Sequence, residues 1–78
     1  MIAKNDIVAK FMAKYVSIDE DGFEYVNAKD IKKITDELSE NFDNIVVIVE
    51  TNKLGYKHFT VRSSSKTKKV FFKAFLVD

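Results

Sequence analysis

Ile45-Val46-Val47-Ile48-Val49 is an unbroken run of β-branched side chains, and it limits the fold more tightly than any other stretch of the chain. Two heavy substituents on Cβ restrict χ1 and suit a pleated surface better than a helix. Because the run does not alternate with polar residues, it reads as a strand buried on both faces. Asn52 to Gly55 then supplies a turn, with glycine where a positive φ is wanted. A second strand is expected over Tyr56 to Arg62. The polar loop Ser63-Ser64-Ser65-Lys66-Thr67-Lys68-Lys69 follows, then a third strand from Val70 to Val77. The C-terminal part of the chain is thus expected to be a three-stranded antiparallel meander, with the serine and lysine loop as its one candidate for local disorder.

Upstream the apolar period is that of a helix. Ile7, Val8, Phe11, Met12, Tyr15 and Val16 recur on one side of residues 6 to 16, with Lys10 and Lys14 opposite and Asn5 in position to cap. Asp21-Gly22 marks a turn, and Phe23 to Val26 reads as a short strand. A second helix follows, with Asn27 as N-cap, Asp30 in its first turn, and Val26 and Ile31 spaced as a hydrophobic staple. Ile34, Leu38 and Phe42 continue its apolar stripe. The expected class is α+β: two amphipathic helices packed on a small antiparallel sheet, in the order helix, short strand, helix, three-stranded meander. At 78 residues the chain is expected to form one domain, residues 1 to 78, with a small core.

The chain has no cysteine, which removes disulfides, thiolate nucleophiles and cysteine-ligated zinc, and favours a cytoplasmic setting. Its longest apolar run is the five-residue strand segment, far short of the roughly 20 residues of a membrane helix. Lys4, Asp6 and Lys10 stand where an export signal would be apolar, so neither membrane nor export is expected. The single histidine, His58, has no spaced second ligand. Asp19, Asp21 and Gly22 resemble part of a calcium loop, but the glutamate required at the twelfth position is Ala28, so the segment reads as an acidic turn. There is no glycine-rich phosphate loop, nucleophile elbow or paired-acid motif. The expectation is a non-enzymatic protein without metal or cofactor.

Charge is strongly polarised along the chain. Residues 1 to 50 hold six bases and eleven acids, a net of −5, whereas residues 51 to 78 hold seven bases and one acid, a net of +6. A patch of one sign concentrates partners of the other. In the last strand Val70, Phe72, Ala74 and Leu76 are expected on one face and Phe71, Lys73, Phe75 and Val77 on the other. In the strand before it, Tyr56, His58, Thr60 and Arg62 share a face. If both helices cover the first face, the second presents aromatics and cations to solvent. Three ways of covering that second face are open: the helices pack on opposite faces or the first wraps around an edge, a second copy covers it in a homodimer, or nucleic acid does.

Two functions follow. In the first, Lys57, Arg62, Lys66, Lys68, Lys69 and Lys73 contact the phosphates of DNA or RNA while Tyr56, Phe71 and Phe75 stack on bases. In the second, the polarised surface lets a regulatory protein bind another protein, the basic meander meeting an acidic partner or the acidic helix a basic one.

Overall fold

The computed structural model describes residues 4–78, with side chains from residue 6 onward. Helix α1 spans Lys4–Met12 and tightens into a 3₁₀ turn, Ala13–Tyr15. Strands β1 (Val16–Ile18) and β2 (Glu24–Asn27) form a hairpin. A second 3₁₀ turn, Ala28–Asp30, leads into α2 (Ile31–Asn41). Strands β3 (Ile45–Thr51), β4 (Lys57–Ser63) and β5 (Val70–Val77) complete one five-stranded sheet in the order β1-β2-β5-β4-β3. The class is α+β, as the sequence suggests, and β3, β4 and β5 form the antiparallel meander. The sheet as a whole is mixed, because β2 lies parallel to β5, with Tyr25 opposite Phe75 and Val26 opposite Leu76.

Three sequence expectations are corrected at this level. Val16 belongs to a strand, not to the first helix: the helix closes through the 3₁₀ turn, and Val16 and Ile18 pair with Val26 and Glu24. Strand β3 is an edge strand rather than one buried on both faces; Ile45 to Ile48 are half-buried and Val49 is 45% exposed. Its β-branched run satisfies one neighbouring strand and one layer of helix, and among the described residues no further strand lies beyond it. Asn27 does stand before the second helical segment, yet its side chain makes no capping hydrogen bond, because the segment opens as a 3₁₀ turn. Asn5 lies inside α1, and its side chain falls outside the described residues.

Both helices pack on the same face of the sheet. Val8 and Met12 of α1, and Ile34 and Leu38 of α2, join Val26, Phe59, Val61, Ala74 and Leu76 in one buried cluster. The strand residues of this cluster share one parity in the ladders: Phe59 lies opposite Ala74, and Val26 opposite Leu76. Each fully buried aliphatic or aromatic side chain of this kind contributes about 1.5–3 kcal/mol. The helices are also tied to each other: Tyr15, just after α1, donates its hydroxyl to Glu37 Oε1 at 2.7 Å, and Lys14 Nζ lies 2.9 Å from Glu37 Oε2. Helix α2 stops where Phe42 turns extended at φ −136°, and Asn44, at φ 58°, redirects the chain into β3. Asparagine tolerates that left-handed conformation better than most residues.

No helix among the described residues is long and apolar enough to cross a membrane.

Candidate functional site

With both helices on one side, the reverse face of the sheet has no covering layer among the described residues. Its centre is Phe75, half-buried between β2 and β4. The His58 ring lies 4.9 Å from it, tilted by 33°. Phe23 meets its edge from the β2 side at 5.6 Å, and Tyr56 from the β4 side at 6.3 Å. Edge-to-face pairs at such distances are favourable because the positive rim of one ring meets the negative face of the other. Phe23 is 53% exposed and Tyr56 59%, so the two flanking rings still offer open surface.

Two turns of the same construction place these flanking rings. In Asp19-Glu20-Asp21-Gly22-Phe23, the Asp19 carboxylate accepts hydrogen bonds from the backbone N–H groups of Asp21 and Phe23, both at 2.9 Å. In Asn52-Lys53-Leu54-Gly55-Tyr56, Asn52 Oδ1 accepts them from Leu54 and Tyr56 at 2.9 and 3.0 Å. Both turns close with the glycine N–H donating to the carbonyl of the first residue, Gly22 to Asp19 at 3.1 Å and Gly55 to Asn52 at 3.0 Å. The glycines sit at φ +86° and +88°, a region open to glycine and strained for other residues. The aromatic residue after each glycine is thereby turned toward Phe75. The Asp19 carboxylate is occupied in organising its own turn, and among the described residues no group of three or more His, Asp or Glu side chains is placed to hold a metal.

Between the two turns runs an open groove of about 910 Å³, floored by Tyr25, Asn27, Phe75 and Val77 and walled by Asp19, Asp21 and Phe23 on one side and Asn52, Leu54 and Tyr56 on the other. Toward the other end of β5 the reverse face becomes polar and basic. Lys73, opposite Thr60, still lines the hollow formed with Phe23, Glu24, His58 and Phe75, and Arg62, beyond it, shares the parity of Thr60 and His58. Arg62 Nη1 donates to the Ser63 carbonyl at 2.8 Å, which holds its side chain near the β4–β5 loop. That loop carries Lys66, Lys68 and Lys69, all exposed. It is pinned by hydrogen bonds rather than loose: Ser63 Oγ and Ser65 Oγ lie 2.7 Å apart, as do Ser65 Oγ and Thr67 Oγ1, while Ser63 N–H donates to the Lys69 carbonyl at 2.7 Å.

Of the sequence-derived candidates, the structure therefore brings together Tyr56 and Phe75 at one end of this face, with Lys73 beside Phe75, and places Arg62 by the lysine loop at the other. Lys57 has the parity of Phe59 and reaches the groove only at its rim. Phe71 is the correction. Strict alternation puts it beside Lys73 and Phe75, but β5 carries a bulge: Val61 lies opposite Phe72, whereas the next residue, Arg62, lies opposite Val70. One extra residue is accommodated at Phe71, which packs against the buried cluster, while Val70 is left 50% exposed. A bulge reverses parity beyond it.

The residue that sequence reasoning missed is Phe23. Its signal is the shared pattern of an Asp or Asn, two residues, Gly and an aromatic, present at 19–23 and again at 52–56. Comparison with models of known families, with curated proteins and with solved structures gives no match.

Proposed function

We propose that this chain is a small non-enzymatic protein that binds single-stranded nucleic acid on the uncovered face of its sheet. The observation that supports this reading is the gradient across this face: exposed aromatic rings around Phe75, with Lys73 beside them, at one end, and Arg62 and the loop lysines at the other. Aromatic side chains on a sheet surface stack on unpaired bases, and each such contact is worth about 1–3 kcal/mol. Cations alongside follow the phosphates and make affinity salt-dependent. Phe23, Tyr56 and Phe75 are the stacking groups in this reading. Lys73, Arg62, Lys66, Lys68 and Lys69 are the phosphate contacts, with Lys57 peripheral.

The test is fluorescence anisotropy with labelled single-stranded DNA and RNA at increasing salt. Binding at low salt that weakens steeply between about 50 and 200 mM is the expected result. No binding to either probe at low salt overturns the reading.

One observation favours a second reading, recognition of another protein. The wall of the groove nearest Phe23 carries Asp19 and Asp21, which repel phosphate, and the opposite wall exposes Leu54. An apolar groove with acids on one rim suits a basic, partly apolar peptide segment. Binding that needs Asp19 and Asp21 and ignores the loop lysines would select this alternative.

A further inference from the structure

Strand β3 ends the sheet with a complete, unblunted edge. Among the described residues it pairs with β4 alone, through seven residues without a bulge; it contains no proline and has Glu50 as its single charge. Natural edge strands are usually protected by proline, lysine, bulges or brevity. Hydrogen bonds at its two ends fix which backbone groups face outward. The Asn44 carbonyl accepts from Ser64 N–H, and Asn52 N–H donates to the Tyr56 carbonyl, both at 2.9 Å. Bonded and non-bonded pairs alternate in an antiparallel ladder, so the even-numbered residues of β3 exchange hydrogen bonds with β4. Ile45, Val47, Val49 and Thr51 therefore direct their N–H and C=O groups away from the sheet.

We infer that this edge pairs with the β3 edge of a second copy, antiparallel, about a two-fold axis at Ile48. With the axis normal to the sheet, opposed residues share a face, so Val47, Ile48 or Val49 must stand opposite itself. Only the axis at Ile48 uses all four outward residues, Ile45 with Thr51 and Val47 with Val49 of the other copy. It also places Glu50 of the second copy opposite Val46, whose own neighbour across β4 is Arg62. Arg62 and that Glu50 then lie on the same face two strand spacings apart, about 9.5 Å, within the joint reach of the two side chains. The contact occurs twice by symmetry, which is the reason to assign the edge to a second copy rather than to an unrelated strand. Pairing leaves both sets of helices on one side and joins the two reverse faces into one surface. Its backbone pairing uses the sheet edge alone, and Arg62 is the one residue it shares with the phosphate contacts proposed for the reverse face.

An edge of this length makes a smaller contact than a standard stable interface, so association is expected to depend on concentration. Sedimentation velocity over a wide concentration range should show the 9.0 kDa chain moving toward twice its mass. Val49→Pro removes one outward N–H without touching the bonds to β4, and should weaken association at least about tenfold. Glu50→Arg should also weaken it, and the double variant Glu50→Arg/Arg62→Glu should restore it. Amide exchange supplies a reading that needs no variant: the N–H groups of Ile45, Val47, Val49 and Thr51 should gain protection as concentration rises. A chain that stays monomeric at the highest accessible concentration overturns the inference. So does a dimer that is indifferent to both single variants, as pairing through the reverse face would be.

Discussion

Tyr15 donates its hydroxyl to Glu37 at 2.7 Å, and through this bond the turn after α1 is fastened to the middle of α2. Lys14 completes the arrangement: its ammonium lies 2.9 Å from the other Glu37 oxygen and 4.9 and 5.2 Å from the rings of Phe11 and Tyr15. The helices have no direct loop between them, so this polar clasp and the shared core hold their relative placement on the sheet.

The clasp makes stability pH-dependent at both extremes. Burial, and then the bond to the Glu37 carboxylate, push the Tyr15 hydroxyl up from 10.0 to about 12. A raised folded-state value means that its contribution is fully present below pH 10 and is lost as pH rises toward 12. The ion-pair hydrogen bond with Lys14, followed by that from Tyr15, lowers Glu37 below its usual 4.5, so its contribution is present above that value and is lost as pH falls through the lowered one. Chemical denaturation across pH should therefore show a plateau with losses at both ends. Tyr15→Phe should flatten the alkaline loss and Glu37→Gln should reduce both. Ultraviolet titration should show a late-ionising tyrosine that is missing from Tyr15→Phe.

Phe71 and Phe75, four residues apart on one strand, should respond differently to truncation. Fully buried Phe→Ala substitutions cost about 3–5 kcal/mol, and half-burial against the core should leave roughly half of that at Phe71. Phe71→Ala should lower stability and leave reverse-face binding intact in whatever fraction stays folded. Phe75→Ala should abolish binding by removing the ring that orients Phe23, Tyr56 and His58. Urea denaturation beside anisotropy on the same samples separates the two effects. Equal loss of binding in both variants at matched folded fraction would contradict the bulge-based assignment.

Gly22 and Gly55 have open space where a Cβ would project, so the cost of an alanine there is conformational. Gly22→Ala and Gly55→Ala should each destabilise by about 1–2 kcal/mol, several degrees in Tm for a domain of this size. Gly55→Asn should lose less, because asparagine tolerates a left-handed backbone. Thermal unfolding followed by circular dichroism checks the order.

The loop lysines should set the salt dependence of nucleic-acid affinity more than its stacking component. Charge reversal at Lys66, Lys68 and Lys69 should weaken binding at low salt and flatten the plot of log affinity against log salt by about 0.7 per lost single-strand phosphate contact. Phe23→Ala and Tyr56→Ala should reduce affinity with the slope unchanged. Their stability should change little, since both rings are more than half exposed.

Local pattern was enough for much of this molecule. The β-branched run at Ile45 to Val49, the stripe Ile31, Ile34 and Leu38, and the glycines at 22 and 55 determine their own secondary structure, because χ1 restriction, helical period and positive φ are properties of neighbouring residues. The charge separation is likewise written in the chain. The tertiary structure alone decided that both helices share one face, which is what leaves the reverse face open. It also decided that β2 inserts parallel beside β5, that β3 becomes an edge, and that a bulge turns Phe71 into the core. Most of these outcomes rest on pairings between residues tens of positions apart, and at the β4–β5 bulge a single extra residue in a ladder reverses the parity beyond it. Alternation in the sequence therefore predicts two faces for a strand, whereas which face is covered depends on where the distant elements dock.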